Sequence, residues 1–269
     1  MCFDMMTVPY YAVVGAPIAH SLSPQIHRAF ARHCDLPLIY KKIYIHPADF
    51  NKTIPQLFSN GLKGANITAP FKQLAYELVD IRTARAELAQ SVNTLYVNHV
   101  GKLCGDTTDG AGLIIDIKTQ HQATLYDKTI MILGAGGATR SLLPALLAEN
   151  PCKIFLADRH GEKATSLAAQ VISLNEIADY PCDILINTIP TTTWVKQYPF
   201  SSPLNLHDTW CYDLCYGPAA LAFKRFVQDH NAKKITDGKG MLIAQAAESF
   251  FIWHGVKPNI SHNNFDPIF

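Results

Sequence analysis

The apolar segment Thr129-Ile130-Met131-Ile132-Leu133 runs directly into Gly134-Ala135-Gly136-Gly137-Ala138-Thr139-Arg140, and a helical pattern from Ser141 to Leu147 follows. A strand ending in glycines that open a helix is the turn at which a doubly wound α/β domain receives a dinucleotide pyrophosphate. Glycines let backbone N–H groups approach the phosphates, and the positive end of the helix dipole faces them. Gly134, Ala135, Gly136, Gly137 and Ala138 are therefore the expected cofactor-binding residues. The next strand, Lys153–Asp158, ends in an acid at about the spacing such a site uses. Asp158 suits a free ribose 2′-hydroxyl and hence NAD, whereas Arg159 beside it suits the 2′-phosphate of NADP. These two neighbours point in opposite directions, and Lys163 adds positive charge close by.

The remaining composition excludes several classes. With 269 residues, 48% of them hydrophobic and 17% charged, the chain can bury one large or two ordinary cores. A net charge of +1 gives no field to gather nucleic acid or an anionic membrane. No apolar run reaches the roughly 20 residues of a membrane span, and Met1 to Met6 has no signal-peptide pattern. Seven cysteines without a Cys-x-x-Cys pair read as reduced thiols of a cytoplasmic protein. The histidines and cysteines show no zinc spacing, so no metal is expected.

Upstream of the glycine turn, short apolar strands alternate with helical patterns. Strands are predicted at Tyr11–Gly15, Ile39–Ile45, Leu62–Thr68 and Val92–Val97, with helices at Pro24–His33, Pro47–Phe58, Phe71–Leu78 and Thr83–Gln90. This rhythm predicts a mainly parallel sheet. A helix from Asp109 to Gln122 leaves that unit. The second βαβ series adds a helix around Glu162 to Gln170, strands at Asp183–Asn187, Trp210–Leu214 and Lys234–Thr236, and a helix at Ala219–His230. The fold class is α/β: an N-terminal substrate domain, residues 1–108, completed by 241–269, and a Rossmann dinucleotide-binding domain, residues 109–240, facing it across a cleft.

Candidate substrate residues sit in loops of the first unit. Gly15 to Pro24 follows the first strand, and Ser21 and Ser23 offer hydroxyls to a carboxylate; Ser23 also reads as a plain N-cap before Pro24. Lys72 opens a helix, the end that cations disfavour, so it is either solvent-exposed or in use. Asp109 begins a helix, a routine place for a carboxylate. Asn93 falls in a strand pattern that disfavours asparagine.

Taken together, Gly15–Pro24 with His27, Gly64–Lys72, Val92–Leu95, Thr108–Gly110, Gly134–Arg140, Asp213–Pro218 and Thr236–Ala247 make nearly the whole chain resemble the shikimate dehydrogenase family, which includes the quinate/shikimate enzymes. The resemblance implies a pyridine-nucleotide oxidoreductase that interconverts 3-dehydroshikimate and shikimate without a metal. It implies that Ser21 and Ser23 hold the substrate carboxylate, that Thr68, Asn93 and Gln245 bind ring hydroxyls with Tyr216 nearby, and that Lys72 and Asp109 are the catalytic pair. It adds Gly238 to the cofactor residues and favours NADP over NAD, with a monomer or homodimer as the assembly. Four departures stand out. Thr107 replaces a common Asn, Ser91 a common Ala, Thr188-Ile189-Pro190-Thr191 a small-residue run, and Asp158-Arg159-His160 the usual Asn-Arg-Thr. Asp158 and Thr107 leave open an NAD-preferring quinate/shikimate paralogue; a non-catalytic sensor would have no need of both Lys72 and Asp109.

Overall fold

The computed structural model describes residues 10–158, 169–196, 204–261 and 265–269. The chain divides into two compact units, Met1–Asp109 with Ile243–Phe269, and Gly110–Leu242. The N-terminal residues Met1 to Met6, Arg159, Lys163 and most of the helix expected from Glu162 onward lie outside the described residues.

In chain order the first unit contains β1 (Tyr10–Gly15), α1 (Ser23–His33), β2 (Tyr40–Tyr44), α2 (Phe50–Ser59), β3 (Leu62–Ile67), α3 (Lys72–Leu78), β4 (Ile81–Arg82), α4 (Ala84–Ala89), β5 (Thr94–Val97) and β6 (Leu103–Asp106). Helix α5 (Asp109–Ile115) follows. The second unit continues with β7 (Thr129–Leu133), α6 (Gly137–Ala148), β8 (Lys153–Asp158), β9 (Gln170–Ser173), β10 (Ile184–Asn187), α7 (Thr191–Lys196), β11 (Trp210–Asp213), α8 (Leu221–Asp229) and β12 (Lys234–Thr236). The last long helix is α9 (Lys239–His254).

The first sheet has the order β2-β1-β3-β5-β6-β4. β1 is parallel to both β2 and β3, as its helical crossovers require. The other half departs from the parallel rhythm: β5 runs antiparallel to β3 and to β6. The reason is a tight hairpin between β5 and β6, where Gly101 adopts a positive φ of 78° and the Asn98 side chain accepts from the Val100 and Lys102 amides. β6 carries Gly105 and Asp106, residue types that strands disfavour, so sequence pattern alone passes over it. Gly105 is there because Val92 and Val79 leave no room for a side chain.

Part of α9, together with Phe265 beyond it, completes this unit. Phe250 stands edge-on to Phe30, Phe265 does the same, and Trp253 donates from Nε1 to the Leu95 carbonyl at 3.1 Å. Trp253 also lies against Gly64, where even a Cβ would collide with its indole.

The second sheet has the order β12-β11-β10-β7-β8-β9, parallel throughout. Its strand order reverses between β7 and β10, the switch point at which open α/β sheets bind ligands beyond their carboxyl ends. Its strands are buried on two faces, with Met131, Leu185 and Cys211 among one cluster and Ile130, Ile132 and Ile186 in the other.

Several elements differ from the sequence pattern. Gln170, read as the end of a helix, opens β9. The Asp109–Gln122 helix is α-helical only to Ile115 and widens into a π-turn over Asp116–Gln120. Residues 217–220 form a 3₁₀ turn ahead of α8, and α7 stands where the sequence pattern predicts no element. Among the described residues no helix is long and apolar enough to cross a membrane.

Candidate active site

At the carboxyl end of the first sheet, the loop after β3 delivers Thr68 and Lys72, and the loop after β6 delivers Thr108 and Asp109. Lys72 begins α3, and its ammonium donates to Asp109 Oδ2 at 2.6 Å. Its place at the helix N-terminus is thus offset by a direct anionic partner. The Asp109 side chain is only 9% exposed while that of Lys72 is 24% exposed, so the lysine is the more accessible member. Asp109, far from serving as a routine helix cap, is held from two sides: Asn93 Nδ2 donates to its other oxygen at 2.8 Å.

Asn93 lies just before β5 rather than within it. It is 2% exposed, and every polar atom of its side chain is engaged. Its Oδ1 accepts from the Thr108 amide at 2.9 Å and from Thr94 Oγ1 at 2.9 Å, while Nδ2 also reaches Gln245 Oε1 at 3.4 Å. Those contacts fix which way the amide points, with the donor toward Asp109. Gln245 comes from α9 and is half-buried.

Ser21 and Ser23 are adjacent after β1. Ser21 Oγ donates to Ser23 Oγ at 3.2 Å and accepts from the Ser23 amide at 3.3 Å. The expectation of Ser23 as N-cap is corrected: Leu22 occupies the cap position and Ser23 is already the first helical residue. Its side chain is therefore free of the capping role and sits beside the Tyr40 phenol, whose pKa burial raises well above its ordinary value while Ser23 opposes that rise. His27, one turn on, is fully buried and stacked on Tyr40 at 4.4 Å. Burial pushes its pKa down to about 3, so the ring is neutral. Ser21, Ser23, Thr68, Lys72, Asn93, Asp109 and Gln245 all belong to the first unit.

Tyr216, Gly238 and the glycine turn belong to the second unit. Gly134 has a positive φ of 94° with Thr188 Oγ1 and Ile189 close by, so only glycine fits. Gly136 and Gly137 have open space where a Cβ would stand. Helix α6 begins at Gly137 with no side-chain cap on its first amides. Bare backbone, open space and uncapped N–H groups are what a dinucleotide pyrophosphate requires, so the turn fits such a cofactor. Ala135 is buried, Ala138 half-buried, and Asp158 half-buried at the end of β8. Gly238 presses against the Leu214 carbonyl and donates to Cys215 O at 2.8 Å. Tyr216 is half-buried, which raises its pKa. Among the described residues, no group of three or more His, Cys, Asp or Glu could hold a metal ion.

Sequence pattern did not single out Thr94, Ser249 or Arg85. Arg85 grips Asp106 through Nε at 2.6 Å and Nη2 at 2.8 Å, bracing the strand that ends beside the site. Ser249 was detectable as a polar residue four positions after Gln245, on the same face of a largely apolar helix.

Comparison with known proteins agrees with this geometry. Residues 13–95 match the shikimate dehydrogenase substrate binding domain, residues 116–195 the shikimate / quinate 5-dehydrogenase model, and residues 238–262 the shikimate 5′-dehydrogenase C-terminal domain. The shikimate dehydrogenase (NADP(+)) of Alkalilimnicola ehrlichii is 40% identical over 92% of this chain and 94% of its own. Among solved structures, an Ael1 enzyme from Pseudomonas putida is similar with a TM-score of 0.86 and 34% identity, covering 93% of this chain and 95% of its own. The shikimate dehydrogenase of Aquifex aeolicus gives a TM-score of 0.84 and 30% identity, covering 97% of this chain and 98% of its own. A doubly wound sheet with a bare glycine turn, a lysine–aspartate pair in a separate α/β unit and these end-to-end likenesses have one common reading: the chain belongs to the shikimate dehydrogenase family.

Proposed function

We propose that this protein catalyses the reversible, NADP-dependent reduction of 3-dehydroshikimate to shikimate. The observation that carries the reading is the Lys72–Asp109 pair at 2.6 Å, with Asp109 oriented by a buried Asn93. Family membership supplies the substrate class, and the relatives named for NADP(+) supply the cofactor.

In this reading Gly134, Ala135, Gly136, Gly137, Ala138 and Gly238 hold the dinucleotide, with Asp158 and Arg159 at its ribose end. When bound, NADPH supplies the hydride that reduces the ring carbonyl carbon. The chain's own residues handle the rest. Ser21 and Ser23 donate hydroxyl hydrogens to the substrate carboxylate, Thr68, Asn93 and Gln245 orient the ring hydroxyls, and the family likeness adds Tyr216 to the substrate-binding residues. Lys72 gives a proton to the oxygen as the carbonyl becomes an alcohol, and takes it back in the reverse direction. Asp109 keeps the lysine in place and offsets its charge while it carries the proton. The free cysteines and small net charge suit a cytoplasmic enzyme.

The test is an absorbance assay with shikimate or quinate, each paired with NADP and with NAD. Turnover highest with shikimate and NADP supports the reading. Turnover confined to quinate or to NAD overturns its specificity, and binding with no turnover overturns catalysis.

A further inference from the structure

Ser249 is completely buried, and its hydroxyl sits at the junction of two polar clusters. A helical serine in an apolar setting satisfies itself by bonding back to the carbonyl four residues earlier. Ser249 has that carbonyl, Gln245 O, at 3.2 Å, but two closer partners come from the sheet. Asn66 Nδ2 donates to Ser249 Oγ at 2.8 Å, and Thr94 Oγ1 lies 2.8 Å away on the other side.

The direction of these bonds is determined by their neighbours. The Tyr40 hydroxyl donates to Asn66 Oδ1 at 2.7 Å, which leaves the Asn66 amino group facing Ser249. Thr94 gives its own hydrogen to Asn93 Oδ1 at 2.9 Å, so it must accept from Ser249. Asn93 then donates to Asp109 at 2.8 Å. Donors therefore run head to tail, Tyr40 to Asn66 to Ser249 to Thr94 to Asn93 to Asp109, and Ser23 stands at the Tyr40 end.

We infer that Ser249 is a positioning residue: it joins the buried Tyr40 hydroxyl to the Lys72–Asp109 pair through one continuous hydrogen-bond chain, and so supports the orientation of the Asn93 amide. Every link lies in the first unit. In a buried chain each bond polarises the next; without the Ser249 hydroxyl, Asn66 Nδ2 keeps only its longer contacts to Asn93 O at 3.4 Å and Thr94 Oγ1 at 3.5 Å, and the chain weakens in the middle. The inference rests on the catalytic reading of Lys72 and Asp109 given above.

The experiment compares wild type with Ser249→Ala, in two readouts. With shikimate and NADP, the variant is expected to lose about fivefold in kcat while its KM for NADP stays unchanged. In ¹⁵N-labelled protein without ligands, the side-chain amide signals of both Asn66 and Asn93 should move. A serine that merely fills space and satisfies Asn66 would shift the Asn66 signal and leave Asn93 and kcat untouched; that result overturns the inference. Should Ser249→Ala fail to fold, Tyr40→Phe breaks the same chain one residue upstream of Asn66 and is read the same way. A wild-type protein inactive on shikimate overturns the functional reading instead, and the Asn93 signal still decides whether the chain transmits.

Discussion

Asn93 and Lys72 hold opposite oxygens of one carboxylate: the amide reaches Asp109 Oδ1 at 2.8 Å and the ammonium reaches Oδ2 at 2.6 Å. The carboxylate therefore cannot rotate without losing a partner, and the lysine is presented in a fixed place. Lys72→Ala is expected to lower kcat by about 10²- to 10⁴-fold, the range for losing a general acid–base. The KM for shikimate should stay within about threefold, because the remaining ring contacts are intact. Steady-state kinetics at saturating NADP measures both, and near-normal turnover would remove Lys72 from the chemistry.

Two glycines should respond in opposite ways. Gly64→Ala pushes a methyl group into the Trp253 indole and is expected to cost about 2 kcal/mol or more, as overpacking does. Gly136→Ala meets open space at an ordinary negative φ, so the melting temperature should hold while the KM for NADP rises. Thermal melts and cofactor titration of the two variants separate a packing glycine from a ligand glycine. Equal destabilisation by both would contradict the assignment.

Asp213 gives a pH dependence with a definite sign. Burial, ahead of its hydrogen bonds from Cys215 and Asn187, raises its carboxyl to about 7. An unfolded aspartate ionises at about 3.9. Between about 4 and 7 the folded state keeps a proton that the unfolded state has released, so this group's contribution to stability falls as pH rises through that range. Asp213→Asn retains an acceptor for Asn187 and Cys215 and removes the titration. The variant should gain on wild type from about pH 4 to about pH 7, by at most about 1.4 kcal/mol per pH unit, and the gap should be constant above. Urea unfolding across that range is the measurement; a gap that does not change with pH would show Asp213 to be ionised throughout.

His27 acts in the other direction. Its ring stays neutral down to about 3 because it is buried, whereas an unfolded histidine protonates at about 6.5. Its contribution is lost as pH falls below about 6.5, so His27→Phe should soften the acid-side decline in stability. An unchanged acid limb would mean that another group controls it.

Asp158 ends β8, where a carboxylate opposes a ribose 2′-phosphate. Asp158→Asn is expected to raise the NADP-to-NAD ratio of kcat/KM by about tenfold, the equivalent of 1.4 kcal/mol. A ratio that stays put would assign the preference to other residues of the loop.

Much of this fold is written in short apolar runs. Ile130 to Leu133, Ile154 to Ala157 and Ile184 to Ile186 are strands because they are buried on two faces, and their residue types say so directly. β4, β6 and β9 escaped because nothing local marks them: two residues at Ile81–Arg82, a glycine-bearing strand, and a polar edge at Gln170. Within the site, residue type and motif indicated Lys72, Asp109 and Asn93 but not how they are held. Asn66 and Ser249 are 183 positions apart, and no window of sequence reports a bond across that distance. Ser23 shows the converse error, since a serine before proline suggests a cap that Leu22 occupies instead.

The aromatic closure of the first unit by Phe250, Trp253 and Phe265 has a consequence for biogenesis. On the ribosome, residues 10–106 emerge with β1, β3 and β5 in hand but without the residues that cover Gly64 and Phe30. The whole of the second unit is translated before those residues appear. The doubly wound unit, continuous in sequence, can therefore reach its native state while the nascent first unit still exposes an aromatic-lined face, the kind of surface that chaperones hold. The order in which the two units mature is set by connectivity: the one that begins first finishes last.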